Sequence, residues 1–312
     1  MNETQRKHFI KRFFKNLWSS KRLSWISFRI LLLLIVCLIA FVMLFENRFI
    51  FFPSKYPEGN WEVENLKGRE GEMLPKIENV WLETPDGVRI HGWYSTPQRI
   101  INGQASTIST QMALLWFHGN AGNITDRYGV ISNLMELPVA VFIIDYRGYG
   151  RSEGSPSEQG VYTDARTAWD YLTGTRNISP KNIVIFGDSL GGAVAIDLAT
   201  KVDAAGLIVQ STFTSISDMA AQLMPAFPRF LLRTKMDSIN KIESVSYPKL
   251  FIHSPSDEMI PFSMGRKLYD AAREPKQFYE VAGASHNSTD LVGGRAYYEA
   301  IGNFIKKCAP AS

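Results

Sequence analysis

Residues 186–192 read Phe-Gly-Asp-Ser-Leu-Gly-Gly, and the fold turns on this stretch. Before it, Asn182–Phe186 is a short run with strand character. After it, Ala193–Thr200 has the apolar content of a buried helix. A strand that enters a helix through Gly-x-Ser-x-Gly must turn sharply. Glycines at 187 and 191 let it do so without a Cβ clash and leave the Ser189 hydroxyl exposed. The helix start directs backbone N–H groups at developing negative charge. The blander reading is a glycine-rich helix cap, because five residues alone are a weak pattern. The strand–turn–helix setting favours a nucleophilic serine.

Outward from the elbow, strand and helix signals alternate. Ile77–Thr84 and Val88–Ser95 flank Asp86-Gly87, a hairpin turn signal. Apolar runs follow at Met112–Phe117, Val139–Ile144, Gly206–Gln210, Lys249–His253 and Gln277–Val281. Helical spacing occupies roughly 124–136, 160–173, 190–201, 263–273 and 291–306. Short Val/Ile/Phe runs separated by helices predict a mostly parallel, eight-stranded α/β sheet covered on both faces, over residues 77–312. Such sheets carry their chemistry on loops beyond the strand C-termini.

A serine hydroxyl is a poor nucleophile until a base takes its proton. Of five histidines, His286 in Gly-Ala-Ser-His-Asn (283–287) lies after the last strand and before the last helix, on the same sheet edge as Ser189. The base needs an orienting carboxylate. Asp257, in Ser-Asp-Glu-Met-Ile-Pro (256–261), follows the strand Lys249–His253; Glu258 is the adjacent competitor, and the shorter acid at the strand exit is preferred. Asp188 is discounted because neighbours on a turn point apart. Acyl transfer also requires oxyanion donors. The loop His118-Gly119-Asn120-Ala121-Gly122-Asn123 can direct the Asn120 N–H into the site, opposite that of Leu190. His118 reads as a loop brace, His91 as structural, His253 as support near Asp257, and Arg147 as bracing the active-site edge.

The N-terminal part has a different character. Residues 1–29 hold eight of the 34 basic residues and one of the 30 acids; the remaining 26 basic and 29 acidic residues leave a body near neutrality. That balance argues against nucleic-acid binding, which needs a basic surface. Ile30–Phe45 is an unbroken apolar run, and Trp25, Ile26 and Phe28 extend it. A core helix is rarely apolar all round, and a signal peptide wants small residues at a cleavage site rather than Val-Met-Leu-Phe-Glu-Asn-Arg. The expected organisation is therefore a basic cytoplasmic tail (1–29), a single transmembrane anchor (30–46) and a linker with an interfacial aromatic segment, Phe49-Ile-Phe-Phe-Pro (47–76). The body is then expected on the non-cytoplasmic side, periplasmic, extracellular or lumenal. Within it, about 213–246 reads as a short lid whose Met, Leu and Phe stripe is either core packing or a substrate wall. Two cysteines, Cys37 and Cys308, and the scattered histidines make no metal-ligand pattern; a serine–histidine–aspartate mechanism needs no metal or organic cofactor, and none is expected.

Taken in order, HGNAGN, DYRGYGRSEG, GDSLGG, TFTSISDMA, SDEMIP and GASHN resemble α/β-hydrolases of the bud-emergence-46-like group, over about residues 48–307. The group includes membrane-anchored serine hydrolases related to depalmitoylases and lysophospholipase-type enzymes. The resemblance implies Ser189 as nucleophile, Asp257 as acid, His286 as base, and the amides of Asn120 and Leu190 as the oxyanion hole. Gly187, Gly191, His118 and Gly119 support these. The resemblance does not fix the substrate; an apolar lid beside a membrane anchor is what favours a small-molecule or lipid acyl substrate, cleaved at an ester or thioester. Amidase, peptidase and acyltransferase chemistry would use the same residues, and a non-catalytic scaffold would show them broken.

Overall fold

A computed structural model describes residues 3–65, 71–102 and 104–310 of the chain. Two compact units emerge, Met1–Glu46 and Asn47–Ser312. In the first, the helix α1 (Glu3–Ile50) begins. Among the described residues no single helix is long and apolar enough to cross a membrane. A pair bent by 47°, Trp25–Phe41 and Met43–Ile50, meets that criterion together. The expected span at 30–46 falls across this pair, and no proline or glycine lies at the break.

The second unit is built on strands β1 (Phe52–Pro53), β2 (Met73–Glu83), β3 (Arg89–Ile101), β4 (Gln104–Thr107), β5 (Met112–Phe117), β6 (Ala121–Gly122), β7 (Val139–Asp145), β8 (Ile183–Asp188), β9 (Gly206–Gln210), β10 (Lys249–His253) and β11 (Lys276–Glu280). The main sheet runs β11-β10-β9-β8-β5-β7-β3-β2, with β4 paired to β3. It is parallel from β11 to β7, and the β2–β3–β4 end is antiparallel. Nine strands stand where eight were expected. The extra one, β4, is Gln-Ala-Ser-Thr, exposed at all four positions, so no hydrophobic alternation announced it.

The central strands are buried from end to end, and their side chains alternate between two cores. Ala113, Leu115 and Phe117 of β5, with Phe142 and Ile144 of β7, pack into the core holding Val161, Ala165, Val194 and Leu268. Leu114 and Trp116, with Val141 and Ile143, pack into the other with Ile131, Leu134, Tyr297, Ile301 and Phe304. The first core is covered by α3 (Glu158–Asp170), α4 (Leu190–Ala199) and α7 (Phe262–Ala271). The second lies under α2 (Tyr128–Leu134) and α8 (Thr289–Cys308). The lid region carries two short helices, α5 (Ile216–Leu223) and α6 (Ser238–Ile242).

Chain order decides where a site can form. From β5 the chain goes to β7 on one side, then returns to β8 on the other. Connections leave β5 in opposite directions, which opens a crevice at its C-terminal end. The loop after β5 and the turn after β8 both end there.

Candidate active site

At the β8–α4 turn Ser189 has φ 53° and ψ −121°. This left-handed conformation strains any residue with a Cβ and persists only where surrounding structure enforces it. Two glycines do so by their lack of a side chain. A Cβ on Gly187 would lie 2.2 Å from the carbonyl oxygen of Gly191, and one on Gly191 would lie 1.9 Å from that of Phe117. The Ser189 N–H donates to Gln210 O (2.9 Å), and the Thr212 hydroxyl donates to Ser189 O. The turn is therefore locked and the hydroxyl is left outside it.

His286 Nε2 stands 3.0 Å from Ser189 Oγ, and its Nδ1 stands 2.8 Å from Asp257 Oδ2. With Nδ1–H donating to the carboxylate, Nε2 is the free acceptor facing the serine hydroxyl. Asp257 Oδ1 accepts the N–H groups of Met259 (3.0 Å) and Ile260 (2.8 Å). His253 Nε2 lies 3.3 Å from Asp257 Oδ2 and 3.1 Å from Ile260 O. Burial alone would raise the Asp257 pKa. The hydrogen bonds from His253, His286 and Ile260 outweigh it and hold the carboxyl well below the usual range, so it stays ionised. Glu258, the rival acid, acts elsewhere on the same histidine, and its Oε2 accepts the backbone N–H of His286 (3.0 Å). The two acids thus hold one histidine by ring and by backbone.

Ser189, His286 and Asn120 line one cavity of about 330 Å³, with Gly119, Arg127, Asp188, Gln210, Met259, Asn287, Asp290, Leu291 and Tyr297 among its walls. Leu190, the other expected oxyanion residue, opens α4 and is buried. His118 is fully buried; its Nδ1–H donates to Gly119 O (2.7 Å), and burial, with Arg127 nearby, pushes its pKa down to about 3. It is neutral and braces the loop. Arg147 grips Asp164 (Nε–Oδ1 3.0 Å) and Asp86 (Nη1–Oδ2 2.6 Å), tying the β2–β3 turn to α3.

The sequence reading missed Asp188. Its side chain accepts the indole N–H of Trp116 (2.7 Å) and a backbone hydrogen bond from Gly119, and burial raises its pKa. It clamps the elbow to the neighbouring loop. The carboxylate beside the serine was the available signal, yet nothing in the sequence names its partners.

Compared with known proteins, the chain matches the family model described as serine aminopeptidase, S33, over residues 108–242. It is 34% identical to protein bem46 of Schizosaccharomyces pombe over 283 residues, covering 87% of this chain and 90% of that one. It is 37% identical to the α/β-hydrolase domain-containing protein WAV2 of Arabidopsis thaliana, covering 75% and 80%. The chain belongs to the bem46-like α/β-hydrolases. The same fold occurs in the solved Pyrococcus furiosus esterase Pf2001, with a TM-score of 0.63 at 18% identity over 82% of this chain and 98% of that one. As in other α/β-hydrolases, the strand–turn–helix serine lies at the carboxyl edge of the sheet.

Proposed function

We propose that this α/β-hydrolase is a membrane-held serine hydrolase that cleaves carboxylic esters or thioesters of lipid-type acyl compounds. The observation that carries the reading is the continuous Ser189–His286–Asp257 relay, 3.0 and 2.8 Å at its two links. Ser189 Oγ attacks the carbonyl while His286 Nε2 takes its proton and Asp257 balances the imidazolium. The oxyanion accepts the N–H groups of Asn120 and Leu190. Collapse expels the alcohol or thiol, which leaves with the proton from His286. Water, deprotonated by the same His286, then attacks the acyl-serine; collapse returns that proton from His286 to Ser189 Oγ and releases the acid. Every step uses groups of this chain.

Two observations favour a lipid-type substrate. Arg127, Asp188, Gln210 and Asp290 give the cavity polar walls suited to a head group. Met259 and Leu291 also line it yet are exposed, which offers an apolar surface to an acyl chain. The apolar N-terminal helix pair and the basic residues before it support anchoring with the N-terminus cytoplasmic and the body on the far side.

Labelling by a fluorophosphonate probe tests the nucleophile: wild type should label and Ser189→Ala should not, and equal labelling would overturn the assignment. A chain-length series of monoacylglycerols and short water-soluble esters tests the substrate class. Preference for the short esters would sink the lipid reading, and preference for peptide substrates would move the enzyme to the amidases.

A further inference from the structure

The segment that follows the N-terminal helix does not simply link it to the body. Phe52 N–H donates to Asn120 O (2.9 Å) and Ser54 N–H to Gly122 O (3.1 Å), which makes β1 a parallel partner of β6. The side chain of Asn120 returns the contact, its Nδ2 donating to Ile50 O (3.1 Å). Asn123 Nδ2 donates to Glu58 O (2.9 Å). On the far side, Gly150 N–H donates to Ser54 O (2.9 Å) and Tyr56 N–H to Gly150 O (2.8 Å). Phe51 is buried in the core that also holds Tyr146 and Tyr149, whereas the neighbouring Phe52 side chain is half exposed. Main-chain bonding and one buried aromatic therefore fix residues 50–58 against the loop after β5.

The carbonyl of Asn120 is the focus of this lacing. It accepts both the Phe52 N–H and the Tyr149 hydroxyl (2.7 Å). One residue earlier in the loop, the Gly119 N–H is committed to Asp188, and Tyr146 donates to His118 O (2.8 Å). The peptide that carries the Asn120 N–H is Gly119–Asn120, whose carbonyl accepts from His118 Nδ1 (2.7 Å). With the Asn120 carbonyl held by two donors and its side chain by Ile50 O, the residue is pinned on both sides of its Cα. The orientation of an oxyanion donor matters because misplacement by about 1 Å costs on the order of a hundredfold in rate.

We infer that residues 50–54 form a positioning strap for the oxyanion loop: by capping the Asn120 carbonyl and side chain they keep its N–H aimed at the tetrahedral intermediate. The inference rests on the serine-hydrolase reading and on Asn120 as donor. It makes the stretch between the N-terminal helix and the catalytic body part of the machinery that sets turnover.

The test uses the full-length protein in detergent, with turnover expressed per serine titrated by a fluorophosphonate. Phe52→Pro removes the main-chain donor and only a half-exposed side chain. Asn120→Ala removes the bond to Ile50 and keeps the Asn120 N–H, so it carries the test if the proline variant does not fold. The expected result is kcat lower by roughly 10- to 100-fold for Phe52→Pro and about tenfold for Asn120→Ala, with KM within about twofold. The inhibition constant of phenylboronic acid, whose serine adduct places an oxygen in the oxyanion hole, should weaken in parallel. A strap that only stabilised the fold would lower the melting temperature and the titratable fraction. Its kcat per labelled site and boronate affinity would match wild type in the folded variants, and that result overturns the inference. Failure of wild type to label at Ser189 would overturn the serine-hydrolase reading instead, and the inference with it.

Discussion

Among the described residues, two histidine–aspartate groupings behave in opposite ways. His286 and Asp257 meet at 2.8 Å on the rim of the cavity. His91, His118 and Asp145 are fully buried around one carboxylate, with nearest nitrogen–oxygen distances of 3.8 and 3.9 Å. Asp257 is held ionised by donors that converge on it, whereas burial raises the Asp145 pKa against the weaker help of His91 and the Ile124 N–H. His118 spends its Nδ1 proton on a carbonyl and stays neutral. Residue type alone therefore does not decide how such a pair behaves. On the serine-hydrolase reading proposed above, the donors that stabilise Asp257 and the open edge where His286 meets Ser189 set that pair apart.

Substitutions should separate the two groupings. The largest effect is expected for Asp257→Asn, which leaves a ring partner of similar shape but disturbs the histidine tautomer. Its kcat should fall by about 10⁴-fold, measured with any ester that wild type hydrolyses. His118→Phe keeps an aromatic ring against Tyr146, 4.6 Å away in the native structure, but loses the bond to Gly119 O. A loss of roughly tenfold in kcat is expected, with the acid limb of the pH–rate profile unmoved, since His118 does not titrate near neutrality.

Stability should respond with opposite signs. Because folding lowers the Asp257 pKa, that carboxylate stabilises the protein above its ordinary value of 3.8, and the contribution is lost as the pH falls below it. Asp257→Asn should therefore melt below wild type at pH 7, with the gap closing in acid. Folding raises the Asp145 pKa, so its charge opposes folding above that value and the opposition is relieved as the pH falls. Asp145→Asn, which keeps an acceptor for the Ile124 N–H, should melt at or above wild type at pH 7, and that advantage should vanish in acid. Thermal melts between pH 3 and pH 7 read both. The smallest effect is expected for Glu258→Gln, which retains an oxygen acceptor for the His286 N–H: a change of about twofold in kcat.

What the sequence revealed follows from the same contrast. That Ser189, Asp257 and His286 would be brought together was legible because the proposed chemistry demands a residue type at each strand exit, and the strands themselves were marked by continuous apolar runs. Gly187 and Gly191 were legible because a turn this tight excludes a Cβ. The work of Asp188, Glu258 and Tyr149 was not, because their partners, an indole N–H for Asp188 and backbone groups for the other two, are distant in sequence. β4 escaped because polar residues on an exposed edge show no period, and the bend in the N-terminal helix because neither proline nor glycine marks it. The aromatic stretch around Phe52 was visible as composition, but its pairing with Ala121–Gly122 was not.

The crossing at β5, from which the chain leaves first to one side and then to the other, also fixes an order of assembly. The loop after β5, the serine and the histidine come from three distant parts of the chain; Ser189 and His286 alone are 97 residues apart. On the proposed triad, a chain emerging from the ribosome presents the serine long before the base that would activate it. Under that reading the polypeptide stays chemically silent during synthesis and acquires reactivity only when the last strand and helix dock against a sheet already in place.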